Sequence, residues 1–282
     1  MRSQGQGALR EDLAKTTIRP VLGALNSVFN FVTDTATIAE LEARKLQHDP
    51  TEILTRAVQP ALWLLIFGEV LATIRAIPSG QLPYLDFMTP GILAQSVLFI
   101  AIFFGIAVIW ERDLGILHKM LASPASRDAL VLGKALSASE RGLSQAVIIY
   151  ILALLIGVHI DWSPFAIAGV VLVVILGSAL FSTFSLIIAC IVRTRERFMG
   201  VGQLLTMPLF FASNAIYPIS IMPVWLRAVA RVNPLTYEVD ALRSLMVVGG
   251  GQVYGIGLDL LVLLATTAIL VVIAAKLYPR VV

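Results

Sequence analysis

Residues 165–192, FAIAGVVLVVILGSALFSTFSLIIACIV, form an apolar run without a charged side chain. A run longer than about 18 such residues is long enough to cross a bilayer core as a helix. Inside hydrocarbon every backbone polar group must find its partner within the protein, so helices are the natural solution for runs of this length. Comparable runs recur, and their spacing predicts six spans at 57–77, 88–110, 142–160, 165–192, 198–216 and 255–275. The fold class expected is an all-α integral membrane protein. The charge content agrees: 14% of the 282 residues are charged, and soluble domains carry nearly twice that share.

With six spans both termini lie on one side. The termini and the loops facing them receive seventeen of the 21 Lys and Arg residues, and the opposite side only Arg75, Arg227, Arg231 and Arg243. Positive loops stay inside, so both termini are expected in the cytoplasm. Because the basic residues sort by loop and form no stripe, the net charge of +3 does not point to nucleic acid. The first 30 residues lack a continuous apolar h-region, and no cleavable signal peptide is expected.

Residues 1–34 read as a loosely ordered cytoplasmic amino terminus. In 35–48, Ile38, Leu41 and Leu46 lean to one side and Glu40 precedes Arg44 by four residues. That pattern fits either a helix lying along the membrane surface or a solvated surface helix. Asp49, Pro50 and Glu52 then have the residue types of N-cap, N1 and N3 of the first span. Pro60 is expected to bend that span. Glu69 lies well inside it, where a carboxylate costs about 2–3 kcal/mol. It is expected to face a cavity, a neighbouring helix or the outer interface. Asp259 reads as interfacial, Met199, Met207, Phe210 and Phe211 as core, and the small residues of 177–185 as close helix packing.

The stretch ERDLGILHKMLASPASRDALVLGKAL, 111–136, interrupts two oily runs with charge, Gly and Pro. Leu114, Leu117 and Leu121 fall at i, i+3 and i+7, one apolar edge suited to a groove on a partner. Ser123-Pro124 ends that helix, and Ser126 or Asp128 starts another that climbs into the third span. The segment is either a structured knuckle or an ordinary loop kept inside by its positive charge.

Glu111, Arg112, Gly115, Leu117, Leu121, Ser123-Pro124, Ser126-Arg127 and Gly133-Lys134 together resemble the signature of ABC type-2 exporter permeases. Residues 213–243 are similar to the second signature of that family, at Pro218, Pro223, Trp225-Leu226, Asn233-Pro234-Leu235-Thr236-Tyr237 and Ala241-Leu242-Arg243. The resemblance, to the daunorubicin-resistance and lipo-oligosaccharide export branch, runs from about residue 35 to 278. It departs at His118-Lys119, where relatives more often carry a carboxylate.

The resemblance implies an interfacial elbow helix at 35–56 and a transmembrane domain at 57–278. It also implies a coupling site at Glu111, Arg112, Asp113, Gly115, Leu117, Leu121, Pro124 and Arg127, seated on an ATPase subunit. An outer gate of two short re-entrant helices would carry Pro218, Pro223, Trp225, Asn233, Pro234, Tyr237 and Arg243, with Glu69 in a possible cavity. The partners implied are that nucleotide-binding subunit, a second permease subunit and membrane lipids.

No G-x-x-x-x-G-K-[ST] occurs in the chain, so ATP and Mg belong on the partner. The three histidines, 48, 118 and 159, are too scattered for a metal site, and no catalytic motif is present. The function expected is the permease subunit of an ATP-driven exporter in a bacterial inner membrane, moving a drug-like, lipid or glycolipid cargo, and not an enzyme. The alternative is a proton- or sodium-coupled secondary drug transporter, which would want several intramembrane ionisable groups in matching halves.

Overall fold

A computed structural model of the chain describes residues 58–74, 77, 78, 80, 82–115, 127–192 and 194–277, with the single positions 33 and 55; at 127–129 and 137 it describes the backbone alone. Helix α1 (58–74) contains a π-helical segment, Trp63–Gly68. Then come α2 (Tyr84–Asp113), α3 (Arg127–Leu155), α4 (Pro164–Ile191) and α5 (Arg195–Phe211). A 3-10 turn (Ile219–Ile221) leads to α6 (Val224–Val232), α7 (Pro234–Met246) and α8 (Ile256–Leu277). No strand occurs among the described residues; Ile160 and Val247 form one isolated antiparallel bridge.

Among the described residues four helices, α2, α3, α4 and α8, are long and apolar enough to cross a membrane. The 28 residues of α4 rise about 42 Å and the 22 of α8 about 33 Å, against a hydrocarbon core of about 30 Å. The described part of α1 and the whole of α5 have 17 residues each, about 25 Å.

Local chemistry sets the ends of these helices. Ser163 accepts from the Ala166 amide at 3.3 Å, with Pro164 in the first turn of α4. Thr194 accepts from Arg197 at 3.4 Å to open α5. Asn233 accepts from Leu235 at 3.0 Å with Pro234 at the first position of α7. These are the residue types that satisfy orphan amides. At the end of α3, Gly157 takes φ +78°, and the Val158 amide reaches back to the Ala153 carbonyl at 2.9 Å. That six-to-one bond is a Schellman closure.

Helix α4 is the hub, packed against α2, α3, α7 and α8, while α5 leans on α2. Small residues let the backbones approach. A Cβ on Gly91 would lie 2.4 Å from the Ala215 carbonyl, and one on Gly105 within 2.5 Å of both Ser185 Oγ and Phe198. The Gly105 amide donates to Ser185 Oγ at 3.0 Å, and that hydroxyl donates to the Ile102 carbonyl. The small-residue packing expected of 177–185 is present.

The structure differs from the sequence reading in several places. The third run leaves its helix at Leu155, because Gly157 closes α3 and residues 158–160 extend to pair with Val247. The fifth ends at Phe211, and 212–216 form buried turns held by side chains. The irregularity in α1 falls at the π segment beyond Pro60. Met199, Met207 and Phe211 are 36–47% exposed and only Phe210 is core, since α5 lies at the rim of the bundle. Asp259, in the first turn of α8, is fully buried against protein, and α7 packs on α8. The expectations for 1–34 and for the elbow at 35–56, including its caps Asp49, Pro50 and Glu52, lie outside the described residues apart from the single positions 33 and 55.

Candidate functional site

The expected site residues gather at two ends of the bundle. At the end from which the 116–126 segment leaves, the last turn of α2 carries Glu111, Arg112 and Asp113, and Gly115 turns the chain with φ +71°. A left-handed φ is cheap only for glycine. Leu114 beside it is 65% exposed. Leu117, Leu121, Pro124 and the departure at His118-Lys119 lie outside the described residues. Arg127 is the first residue of α3 and is described by its backbone alone.

Glu111 and Lys134 are both buried, and the Lys134 ammonium donates to Glu111 Oε2. This pair pins the last turn of α2 to the second turn of α3, on either side of the intervening segment. Removing one member of such a pair costs about 3–5 kcal/mol, even though pairing offsets little more than the desolvation of the two charges. The sequence reading named both residues without joining them. The available signal was opposite charge on the two apolar helices flanking one loop.

A second, wetter contact ties in α5. The Arg195 guanidinium lies 3.4 Å from the centre of the Trp110 ring and donates to Asp113 Oδ2 at 3.1 Å. Arg112 donates to Asp113 Oδ1 at 3.1 Å. Asp113 is exposed, so solvent screens both pairs, and the ring contact is the steadier part at about 0.5–1 kcal/mol.

At the opposite end, Arg243 of α7 is buried and stacked 3.8 Å from the Phe87 ring centre. It donates to the Phe87 carbonyl at 3.2 Å and the Asn214 carbonyl at 2.7 Å. The Asn233 amide donates to the Leu209 and Ala212 carbonyls at 2.7 and 3.1 Å, satisfying the end of α5. The Tyr237 hydroxyl donates to the Arg231 carbonyl at 2.7 Å. Pro218 opens the 3-10 turn, and Pro223 stands just ahead of α6, a position earlier than N1. Trp225 is 69% exposed, part of an apolar edge with Val224 and Val232.

Three carboxylates in this region are buried; Glu238 and Asp240 were missed by sequence reasoning, and Asp259 was named without its burial. Asp240 accepts from the Val253 and Tyr254 amides at 2.9 Å. Glu238 and Asp259 are fully buried, and neither carboxylate has a hydrogen-bond partner among the described residues. Glu238 lies where a Cβ on Gly177 would go. Nothing distinguished Glu238 and Asp240 from ordinary polar positions in a short helix.

Glu69 does not join either cluster. It lies on an exposed face of α1 with Leu62, Leu65, Ile66, Phe67, Val70 and Ile74. Its carboxylate bonds to no neighbouring helix among the described residues. No group of three or more His, Cys, Asp or Glu able to hold a metal occurs among the described residues.

Long apolar helices around a glycine-packed hub define a multi-pass membrane protein with a charged hinge at the root of one loop. The profile of the ABC-2 type transporter family matches residues 33–247, and the chain belongs to that family. It is a transmembrane ABC transporter subunit. A relative named putative transport permease ycf38, from Cyanophora paradoxa, is 29% identical over 208 residues, 71% of this chain and 70% of its own length. The daunorubicin resistance ABC transporter permease protein DrrB1 of Streptomyces coeruleorubidus is 25% identical over 232 residues, 82% and 81% of the two chains. The probable multidrug ABC transporter permease YbhR of Escherichia coli strain K12 is 30% identical over 170 residues, 58% of this chain and 45% of its own.

Proposed function

We propose that this chain is the membrane half of an ATP-driven exporter in a bacterial inner membrane. Two copies cross the bilayer six times each, with α1 and α5 completing the set. Both termini and the 116–126 segment lie in the cytoplasm, and α6 and α7 form the outer gate. A separate nucleotide-binding subunit holds ATP and Mg and seats the segment around 111–124. The cargo is amphipathic, as the names of the daunorubicin-resistance and multidrug relatives favour.

The observation that carries this reading is the Glu111–Lys134 pair. It holds the two limbs flanking the 116–126 segment as one rigid piece, so a push on that segment reaches α2 and α3 together. Arg195 extends the link to α5 through Trp110 and Asp113. Closure of the ATPase subunits then biases the helices between inward- and outward-facing arrangements, through the different affinities of those arrangements for ATP. Glu69 supports the second copy: a carboxylate facing lipid at the centre of a span costs about 2.5–3.5 kcal/mol. A partner permease or a wet cargo path removes that cost. Nothing in the comparisons favours an ion-coupled carrier.

The test is purification of the chain from its native membrane, followed by reconstitution with whatever ATPase accompanies it. Gly115→Val strains the turn while leaving α2 intact. It should insert and bind the ATPase normally, yet hydrolyse ATP without moving cargo. Purification without any nucleotide-binding partner sinks the proposal.

A further inference from the structure

A cavity of about 630 Å³ opens between α1, α2 and α3. That volume falls in the range of small-molecule sites. It follows α2 from Gln95 to Trp110, about 22 Å, and takes in Gln59 of α1 and Gln145 of α3. Phe99, Phe103 and Trp110 form an aromatic wall, with the two Phe ring centres 5.4 Å apart. None of the described residues that line it is charged.

Its polar wall is unusual. Gln145 is 1% exposed, and among the described residues neither its Nε2 nor its Oε1 has a hydrogen-bond partner; Gln95 is 3% exposed, and its Nε2 has none there either. Buried amides are nearly always satisfied, and an orphan in a native site asks for an unseen donor or acceptor. Here two orphans from different helices line one cavity. Together they offer donors and an acceptor, so the complement is a group that both gives and takes hydrogen bonds. A bare cation or anion does only half of that, and none of the described lining residues carries a countercharge to hold it. Ordered water satisfies amides but gains nothing from an aromatic wall.

We propose that this cavity binds an uncharged amphiphile, with a hydroxyl- or amide-bearing head between Gln95 and Gln145 and an apolar body along Phe99, Phe103 and Trp110. Its role as the cargo site rests on the exporter reading; the binding itself does not.

The probe is a decyl glucoside carrying a diazirine on its chain, added to the full chain in lipid nanodiscs and crosslinked by light. Saturable labelling should map to 95–110 and to the peptide containing Gln145. Unlabelled decyl glucoside should compete, while decyltrimethylammonium and decyl sulfate compete about tenfold less well. The Gln95→Leu/Gln145→Leu double variant should lose about tenfold of the saturable labelling, and Gln145→Asn should keep most of it. The leucines remove orphaned amides, so the double variant should melt no lower than the parent. Equal competition by all three heads, unsaturable labelling, or undiminished labelling of the double variant overturns the proposal. Because no ATPase is involved, failure here leaves the exporter reading intact, and failure of that reading leaves this result standing.

Discussion

Two sets of buried charges, one at each end of the bundle, are held in opposite ways. At the loop end Glu111 faces Lys134, side chain to side chain. At the other end Arg243 is held by the backbone carbonyls of Phe87 and Asn214, and Asp240 by the backbone amides of Val253 and Tyr254. Side-chain partners on different helices tie those helices together and can be replaced as a matched pair. Backbone partners cannot be replaced without rebuilding the segments that carry them. The difference separates a joint, at the root of the 116–126 segment, from a fixed frame that locks α7 against α2 and the turn at 212–216.

The strongest way to break this contrast is to remove one charge of the joint. Lys134→Met should destabilise the protein by about 3–5 kcal/mol, seen as reduced yield and a lower thermal transition in detergent. Adding Glu111→Leu should restore most of that loss, since well-packed apolar residues replace a buried pair at little cost. A double variant no better than the single one puts the two residues in the frame, not the joint.

At the frame no such rescue is available. Arg243→Met should cost about 2–4 kcal/mol, because two buried carbonyls lose a charged donor. No second side-chain substitution compensates, as the orphaned acceptors are backbone. A compensating partner found by suppressor selection among the side chains of α2 would erase the distinction. Asp240→Asn is milder. The amide keeps one acceptor oxygen and loses the other, so about 1–2 kcal/mol is expected, read from the same transition.

The joint and the frame were unequally legible in the sequence. The long apolar runs gave α2, α4 and α8 within a few residues, because a bilayer-length period leaves few alternatives. Asn233-Pro234 has the residue types of a cap and a first helical position, a local chemistry readable from sequence, and it opens α7. Glu111 and Lys134 were visible as members of a pattern, but their contact depends on how two helices face each other across a loop. The burial of Asp259 was hidden for a related reason. The first turn of a span ordinarily sits at the interface, and only packing by α7 buries it. The exposed side of α5 was misjudged because Met and Phe suit a core and an exposed apolar face equally. Burial against protein cannot be told from burial in lipid by residue type.

Arg195 sharpens the contrast with the smallest structural effect. It is partly exposed, its pair with Asp113 is screened, and its stacking on Trp110 is worth about 0.5–1 kcal/mol. Arg195→Ala should therefore shift the thermal transition by only a few degrees. If the loop end is a working joint, however, Arg195 is where motion of α2 passes to α5. A contact too weak to hold the fold is then strong enough to bias two arrangements of nearly equal energy, because a shift of 1.4 kcal/mol changes their ratio tenfold. Cargo moved per ATP hydrolysed should fall several-fold in Arg195→Ala, with insertion and ATPase binding unchanged. Arg195→Lys keeps the charge but stacks less well on the indole, and should fall between alanine and the parent. An unchanged ratio in both variants would show that α5 takes its motion from elsewhere, and would confine the joint to α2 and α3.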